Sequence, residues 1–208
     1  MSKKTLNKAN LANLGADRLA DLLIEVSAGS ADMKRRLRLE LSHNLGPSEL
    51  SADVRKRLVS IRRAKTYVGW RRRKALIKDL NTQADMIILK IAPAAPTEAF
   101  ELLWQFLELA PSVYNRVDDT KGDVAQVFGY AISHIDEIAT RAGLDPTALA
   151  ERVWEAVQGN ECGEFDGIIG HLGPALGDAG MEYLQRLILT FEKAPLEADG
   201  DHAALRFL

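Results

Sequence analysis

The chain has 208 residues, 47% hydrophobic and 27% charged, enough apolar material for a sizeable core and enough charge for a solvated surface. Its one cysteine, Cys162, excludes an internal disulfide and leaves no Cys-based metal site. The longest strongly apolar run, Met86-Ile87-Ile88-Leu89, is far too short to cross a bilayer.

Met1-Ser2-Lys3-Lys4-Thr5 opens the chain without an apolar stretch of signal-peptide length. These features predict a soluble, cytoplasmic, bacterial-type protein with no cofactor, no metal and no membrane partner. The formal net charge of -2 hides an asymmetry. Residues 1–92 carry 20 Lys+Arg against 9 Asp+Glu, and residues 93–208 carry 7 against 20. A split of +11 and -13 suggests an acidic partner for the first half, or contact between the halves within one chain or between two copies.

Helical periodicity dominates from the first residues onward. Gly15 closes a short N-terminal segment and Asp17 opens the next helix. Ser30, with Asp32 in the first turn, opens a helix through His43. Met33, Leu37, Leu41 and Leu45 line one face of it and Leu39 the opposite one, which predicts packing from two sides. After Gly46-Pro47-Ser48, apolar stripes run through Leu50, Val54, Leu58, Ile61 and Val68, then through Leu76, Leu80, Ala84, Ile87 and Ile91. Ala92-Pro93-Ala94-Ala95-Pro96 is the clearest break.

Beyond the break, Phe100, Leu103, Trp104 and Leu107 form a third stripe. Asp119, Thr120 and Asp123 are candidate caps for a helix running towards Ala142. Asp145-Pro146 starts a helix bearing Leu149, Val153, Ala156 and Val157. Residues 159–180 hold seven glycines, with Gly167, Gly170 and Gly173 at helical spacing, which predicts close approach to a neighbouring helix. The last stripe is Met181, Leu184, Leu187, Ile188 and Phe191.

The fold class is therefore all-α: roughly ten helices in an antiparallel stack, either α-solenoid-like or a layered bundle. Leu14-(x4)-Leu19-(x3)-Leu23 resembles Leu144-(x4)-Leu149-(x3)-Val153, a weak signal of helical repetition. The expected organisation is a basic half, 1–92, an acidic half, 97–193, and a segment 194–208 made of a polar connector and an apolar tail. The two halves also admit a reading as one continuous domain. The tail is expected either to dock as a cap on the last helices or to begin a further helix.

Residues 30–41, Ser-Ala-Asp-Met-Lys-Arg-Arg-Leu-Arg-Leu-Glu-Leu, and 103–119, Leu-Trp-Gln-Phe-Leu-Glu-Leu-Ala-Pro-Ser-Val-Tyr-Asn-Arg-Val-Asp-Asp, resemble a proteobacterial all-helical family known only as a domain of unknown function. The likeness covers most of residues 5–190. It implies a helical fold and no activity.

The strongest candidate for function is a basic face. Lys34, Arg35 and Arg38 form a strip on one helix. Arg55 with Arg62 and Lys56 with Arg63 form two rows on the next, while Arg71, Lys74 and Lys78 form a strip on the third. Three such helices suit tracking of phosphates. The alternatives are a solvated face or contact with the acidic half. Aromatic residues are thinly interleaved, Tyr67 and Trp70 alone lying near, which argues against single-strand stacking. Trp70, like Trp104, Trp154, Phe100, Phe106 and Tyr114, reads as core. Lys65 and Arg73 fall on apolar stripes, where snorkelling is the expected outcome and a carboxylate partner the alternative.

Motifs for catalysis are missing. Asp118-Asp119-Thr120-Lys121-Gly122-Asp123 lacks the register and the last glutamate of a calcium loop, so capping explains it better. Glu161, Glu164 and Asp166 surround Cys162 on a Gly-rich loop and read as solvated carboxylates. His43, His134, His171 and His202 are scattered, and nothing local supports a Cys162–His171 pair. The leading expectation is a helical protein–protein interaction module or scaffold, binding another protein or its own copy. The alternative is a nucleic-acid-associated protein acting through the basic helices.

Overall fold

The computed structural model describes residues 4–193. Among them the chain is helical, and the single β-type contact is an isolated bridge between Val68 and Val117. The tail expected at 194–208 lies outside the described residues. Two compact units are distinguished, the first ending at Leu41 and the second beginning at Ser42.

In the first unit, α1 (Lys8–Ala12) is capped by Asn7, whose Oδ1 accepts the Asn10 N–H at 2.9 Å. Gly15, at φ +83°, makes the turn into α2 (Ala16–Ser27), which packs on α1. Ser30 opens α3 (Ala31–Leu45) as its composition predicts, its Oγ accepting the Met33 N–H at 3.3 Å. The two apolar faces of α3 fare differently: Leu39 is buried, whereas Leu41 and Leu45 are exposed.

In the second unit, α4 (Pro47–Arg63) buries Leu50, Val54, Leu58 and Ile61, the stripe read from the sequence. Val68 falls outside it, in the connector before α5 (Trp70–Asp85). The helix α5 runs directly into a π-helical turn, Met86–Ile91. That wider turn buries Met86, Ile87, Ile88 and Ile91 together and leaves Leu89 outside, which a 3.6-residue period does not achieve.

The centre of this unit is α6 (Pro96–Leu107), against which α4, the π turn, α8 (Asp123–Ile132) and α9 (Ile135–Ala142) all pack. Phe100, Leu102, Leu103, Phe106 and Leu107 are buried on it, each burial of this kind being worth about 1.5–3 kcal/mol. Two aromatic chains extend from α6. Phe100, Trp104 and Phe165 stack in series at 5.6 and 5.1 Å, and Phe106 reaches Phe128 at 5.3 Å. Short α7 (Ala110–Tyr114) supplies Tyr114, 5.6 Å from Phe128.

The helix expected to run to Ala142 is two helices, α8 and α9. The Ser133 hydroxyl donates to the Tyr130 carbonyl at 2.8 Å, and His134 Nδ1 stands 2.9 Å from the same oxygen. These side chains take up a carbonyl that the continuing helix would use. Asp119 does cap α8, accepting the N–H groups of Val124 and Ala125 at 2.9 and 2.8 Å. Asp145 caps α10 (Pro146–Gln158) through the Ala148 N–H at 2.8 Å.

The final element, α11 (Ile168–Lys193), packs on α9 and α10 and is broken at Gly177, where φ is +55° and ψ -171°. Its close contact is not at the expected glycines: a Cβ on Gly170 or Gly173 would meet nothing within 4 Å, and Gly167 precedes the helix. The close approach is at Gly180, where a Cβ would stand 2.9 Å from the Pro146 carbonyl oxygen.

Candidate functional site

The ten basic residues lie on α3, α4 and α5 and differ in their partners. On α3, Lys34 and Arg38 are exposed, and Arg35 pairs with Asp32 at 3.0 Å within the same helix. On α4, the Arg55–Arg62 row turns to the acidic part of the chain: Arg55 reaches Glu98 at 2.6 Å and Arg62 reaches Glu108 at 2.7 Å, both carboxylates on or just after α6. The parallel row, Lys56 and Arg63, is exposed. On α5, Arg71, Lys74 and Lys78 are exposed too. Among the described residues no ion pair or hydrogen bond engages the side chains of Lys56, Arg63, Lys74 or Lys78.

The unengaged cations of α4 and α5 flank a connector, Ala64–Gly69, that the helical periodicity does not reveal. From Val54 to Lys78 the chain has eleven Lys and Arg and no acidic residue. Gly69 interrupts the helical path, and the connector is then pinned from beneath. The Val68 N–H donates to the Arg116 carbonyl at 2.8 Å, and Arg72 Nη2 donates to the Tyr67 carbonyl at 3.2 Å. Arg73, expected to snorkel, is instead held by Asp123 at 3.1 Å and donates to the Asp118 carbonyl at 3.0 Å. Lys65 is in the connector, exposed, and on no helical stripe.

Two aromatic rings stand outward from this pinned backbone. Trp70 is 77% exposed and Tyr67 60% exposed. Trp70 is thus no core residue, unlike Trp104, Phe100 and Phe106; it stands at the first position of α5, directly after the connector. The Arg71 guanidinium lies 5.2 Å from the centroid of its ring, a cation–π contact that occupies one face.

Below the connector lies a polar cluster. Arg57 Nε donates to Asp79 Oδ2 at 2.8 Å, and Asp79 Oδ1 accepts from the buried Gln83 amide at 3.3 Å. Arg116 is buried close by, its Nη2 3.5 Å from the Ile61 carbonyl and its Nε without a partner. Burial, and then repulsion from Arg57, lowers the pKa of its guanidinium.

The Gly-rich loop also departs from expectation. Glu161 and Asp166 are exposed, but Glu164 is only 8% exposed and its Oε2 has no hydrogen-bond partner. The loop closes on itself to bury this group. The Asn160 amide donates to Asp166 Oδ1 at 2.8 Å, its Oδ1 accepts the Phe165 N–H at 3.0 Å, and Gly163 takes φ +77°. Phe165 then wedges against Trp104. Burial raises the pKa of Glu164, against the backbone N–H groups of Glu164 and Cys162 that lower it. Tyr114 is pushed up to about 12, by burial first and then by Asp119, Glu164 and Cys162. Cys162 is exposed, its thiol raised by burial and the neighbouring Glu164 and Glu161, the reverse of an activated nucleophile. No hydrogen bond joins it to His171 among the described residues.

Among the described residues no group of three or more His, Cys, Asp or Glu side chains stands ready to hold a metal ion, and no helix is long and apolar enough to cross a membrane. A family profile described as a family of unknown function, DUF6880, matches residues 1–206. The chain belongs to DUF6880. No curated protein and no solved structure matches it.

One further surface of this DUF6880 chain stands out. In the first unit only Ser27 and Leu39 are buried among the described residues. Leu6 is 84% exposed and Ile24 69%, and Leu14, Leu23, Val26 and Leu41 are exposed as well. Scattered apolar residues on a surface are ordinary, but these six in the first 41 residues are a high density of exposed apolar side chains.

Proposed function

We propose that this chain is a non-catalytic helical interaction module whose N-terminal helices dock onto another protein. The exposed apolar side chains of α1, α2 and α3 carry the reading. On α2, Leu19, Leu22, Leu23 and Val26 share one helical face, with Asp17, Arg18, Asp21 and Glu25 around the rest. An amphipathic helix of this type gains stability by laying its apolar face against a complementary groove or helix.

The test compares the wild-type chain with a Leu23→Glu, Val26→Glu double variant. Light scattering and cross-linking after nuclease treatment read both self-association and capture of a partner protein. The expected result is a nuclease-resistant protein complex that the variant loses while its second unit keeps its thermal transition. A wild-type chain that stays monomeric and captures no protein, or a complex indifferent to the two substitutions, would overturn the reading.

A further inference from the structure

We propose that the α4–α5 connector is a binding site for single-stranded nucleic acid, with Trp70 and Tyr67 as stacking platforms and the surrounding cations as phosphate contacts. All residues of this site, from Arg63 to Lys78, belong to the second unit. Non-specific single-strand binding requires two things in one place: open aromatic faces, on which any base can stack, and positive charge that follows the backbone. Both are present. Trp70 and Tyr67 are the most exposed aromatic rings of the described residues, three positions apart, on a backbone held by the Arg116 carbonyl and by Arg72. A pinned loop loses little conformational freedom when it binds.

The charge around them is available. Arg63, Lys65, Lys74 and Lys78 are exposed and their side chains engage no partner among the described residues. The neighbouring Arg62 and Arg73 are held by Glu108 and Asp123. The chain therefore separates cations that hold the connector in place from cations left for a ligand. Arg71 lies over one side of the Trp70 ring, so a base on the other side would complete a guanidinium–indole–base stack.

An anionic membrane surface also attracts Trp, Tyr and basic residues, but it rewards aliphatic wedges that enter the acyl region. The connector offers none. Val68 and Ala64 are half-buried, and the Val68 backbone is bonded inward. Flat rings and planar guanidinium groups match bases and phosphates better.

The test uses fluorescein-labelled oligo(dT), a duplex of the same length, heparin, and phosphatidylserine-containing vesicles, with the full chain. Oligo(dT) is expected to bind more tightly than the duplex and to quench tryptophan fluorescence. Trp70→Ala should weaken oligo(dT) binding about tenfold and leave the slope of affinity against salt unchanged. Lys74→Ala should reduce that slope by about 0.7. Trp70→Phe should retain most of the affinity, and equal melting temperatures across the variants show that folding is intact. Three results would overturn the proposal: heparin and duplex bound as well as oligo(dT) with Trp70→Ala neutral, vesicles bound and oligo(dT) not, or no binding to any probe. Each stands apart from the fate of the N-terminal docking surface, which the Leu23 and Val26 substitutions address.

Discussion

Glu164 shows how much one residue can depend on a loop's shape. Three carboxylates within six residues, on a stretch with three glycines, look solvated in sequence, and two of them are. The third is turned inward because Asn160 ties both ends of the loop and Phe165 takes a place beside Trp104. A buried carboxylate oxygen without a partner is costly when charged. Burial accordingly raises the pKa of Glu164 above 4.5. A carboxyl that holds its proton more tightly in the folded state stabilises the fold at low pH, and that contribution is lost as pH rises through its folded pKa. Glu164→Gln keeps the shape and an acceptor for the two backbone N–H groups but cannot ionise. The variant is expected to match the wild type in urea melts well below pH 4.5 and to be the more stable of the two at neutral pH. A wild type that gains on the variant as pH rises would reverse the sign and refute this account.

At the scale of elements, glycine separates two physical roles that composition merges. Gly170 has open space where a Cβ would go, so its helical position gains only from lower unfolded-state entropy on substitution. Gly180 has the Pro146 carbonyl at 2.9 Å and Leu176 Cδ2 at 3.0 Å, so an added methyl pushes α10 and α11 apart. Gly170→Ala is expected to raise stability by about 0.5–1 kcal/mol, and Gly180→Ala to lower it by about 1–3 kcal/mol. Thermal unfolding of the two variants checks both signs at once.

The stripes legible in the sequence are those of central helices. Leu50, Val54, Leu58 and Ile61, like Phe100, Leu103, Trp104 and Leu107, are all buried, because one face of each helix meets the core along its whole length. The stripe on α11 holds less well: Leu184 is buried, but Met181 and Phe191 are exposed, since that helix packs on α9 and α10 at the side of the bundle. The break between α8 and α9, the π turn and the α4–α5 connector were not legible. The break rests on local side-chain bonds of Ser133 and His134 to one carbonyl, and the other two on tertiary hydrogen bonds or packing from several sides; none of these leaves a periodic trace. For the connector a signal did exist, in Gly69 and in the absence of any acidic residue between Asp53 and Asp79.

For the molecule as a whole, the charge asymmetry finds part of its explanation inside the chain. Arg55, Arg62 and Arg73 come from the basic stretch, and their partners Glu98, Glu108 and Asp123 come from the acidic one. Each pair joins elements more than forty residues apart in sequence. All are partly exposed, so each contributes at most about 1 kcal/mol and is weakened by salt. Their larger effect is on specificity, since a basic helix set against acidic ones disfavours packings that bring like charges together. Charge reversal at both Arg55 and Arg62 places like charges at two of these contacts and should lower the melting temperature by several degrees at low salt. Adding Glu98→Arg and Glu108→Arg should recover most of that loss, because the reversed pairs restore attraction at the same positions. High salt should shrink both the loss and the recovery. If Arg55 and Arg62 were instead free for an external polyanion, their reversal would leave thermal stability unchanged and the compensating substitutions would recover nothing.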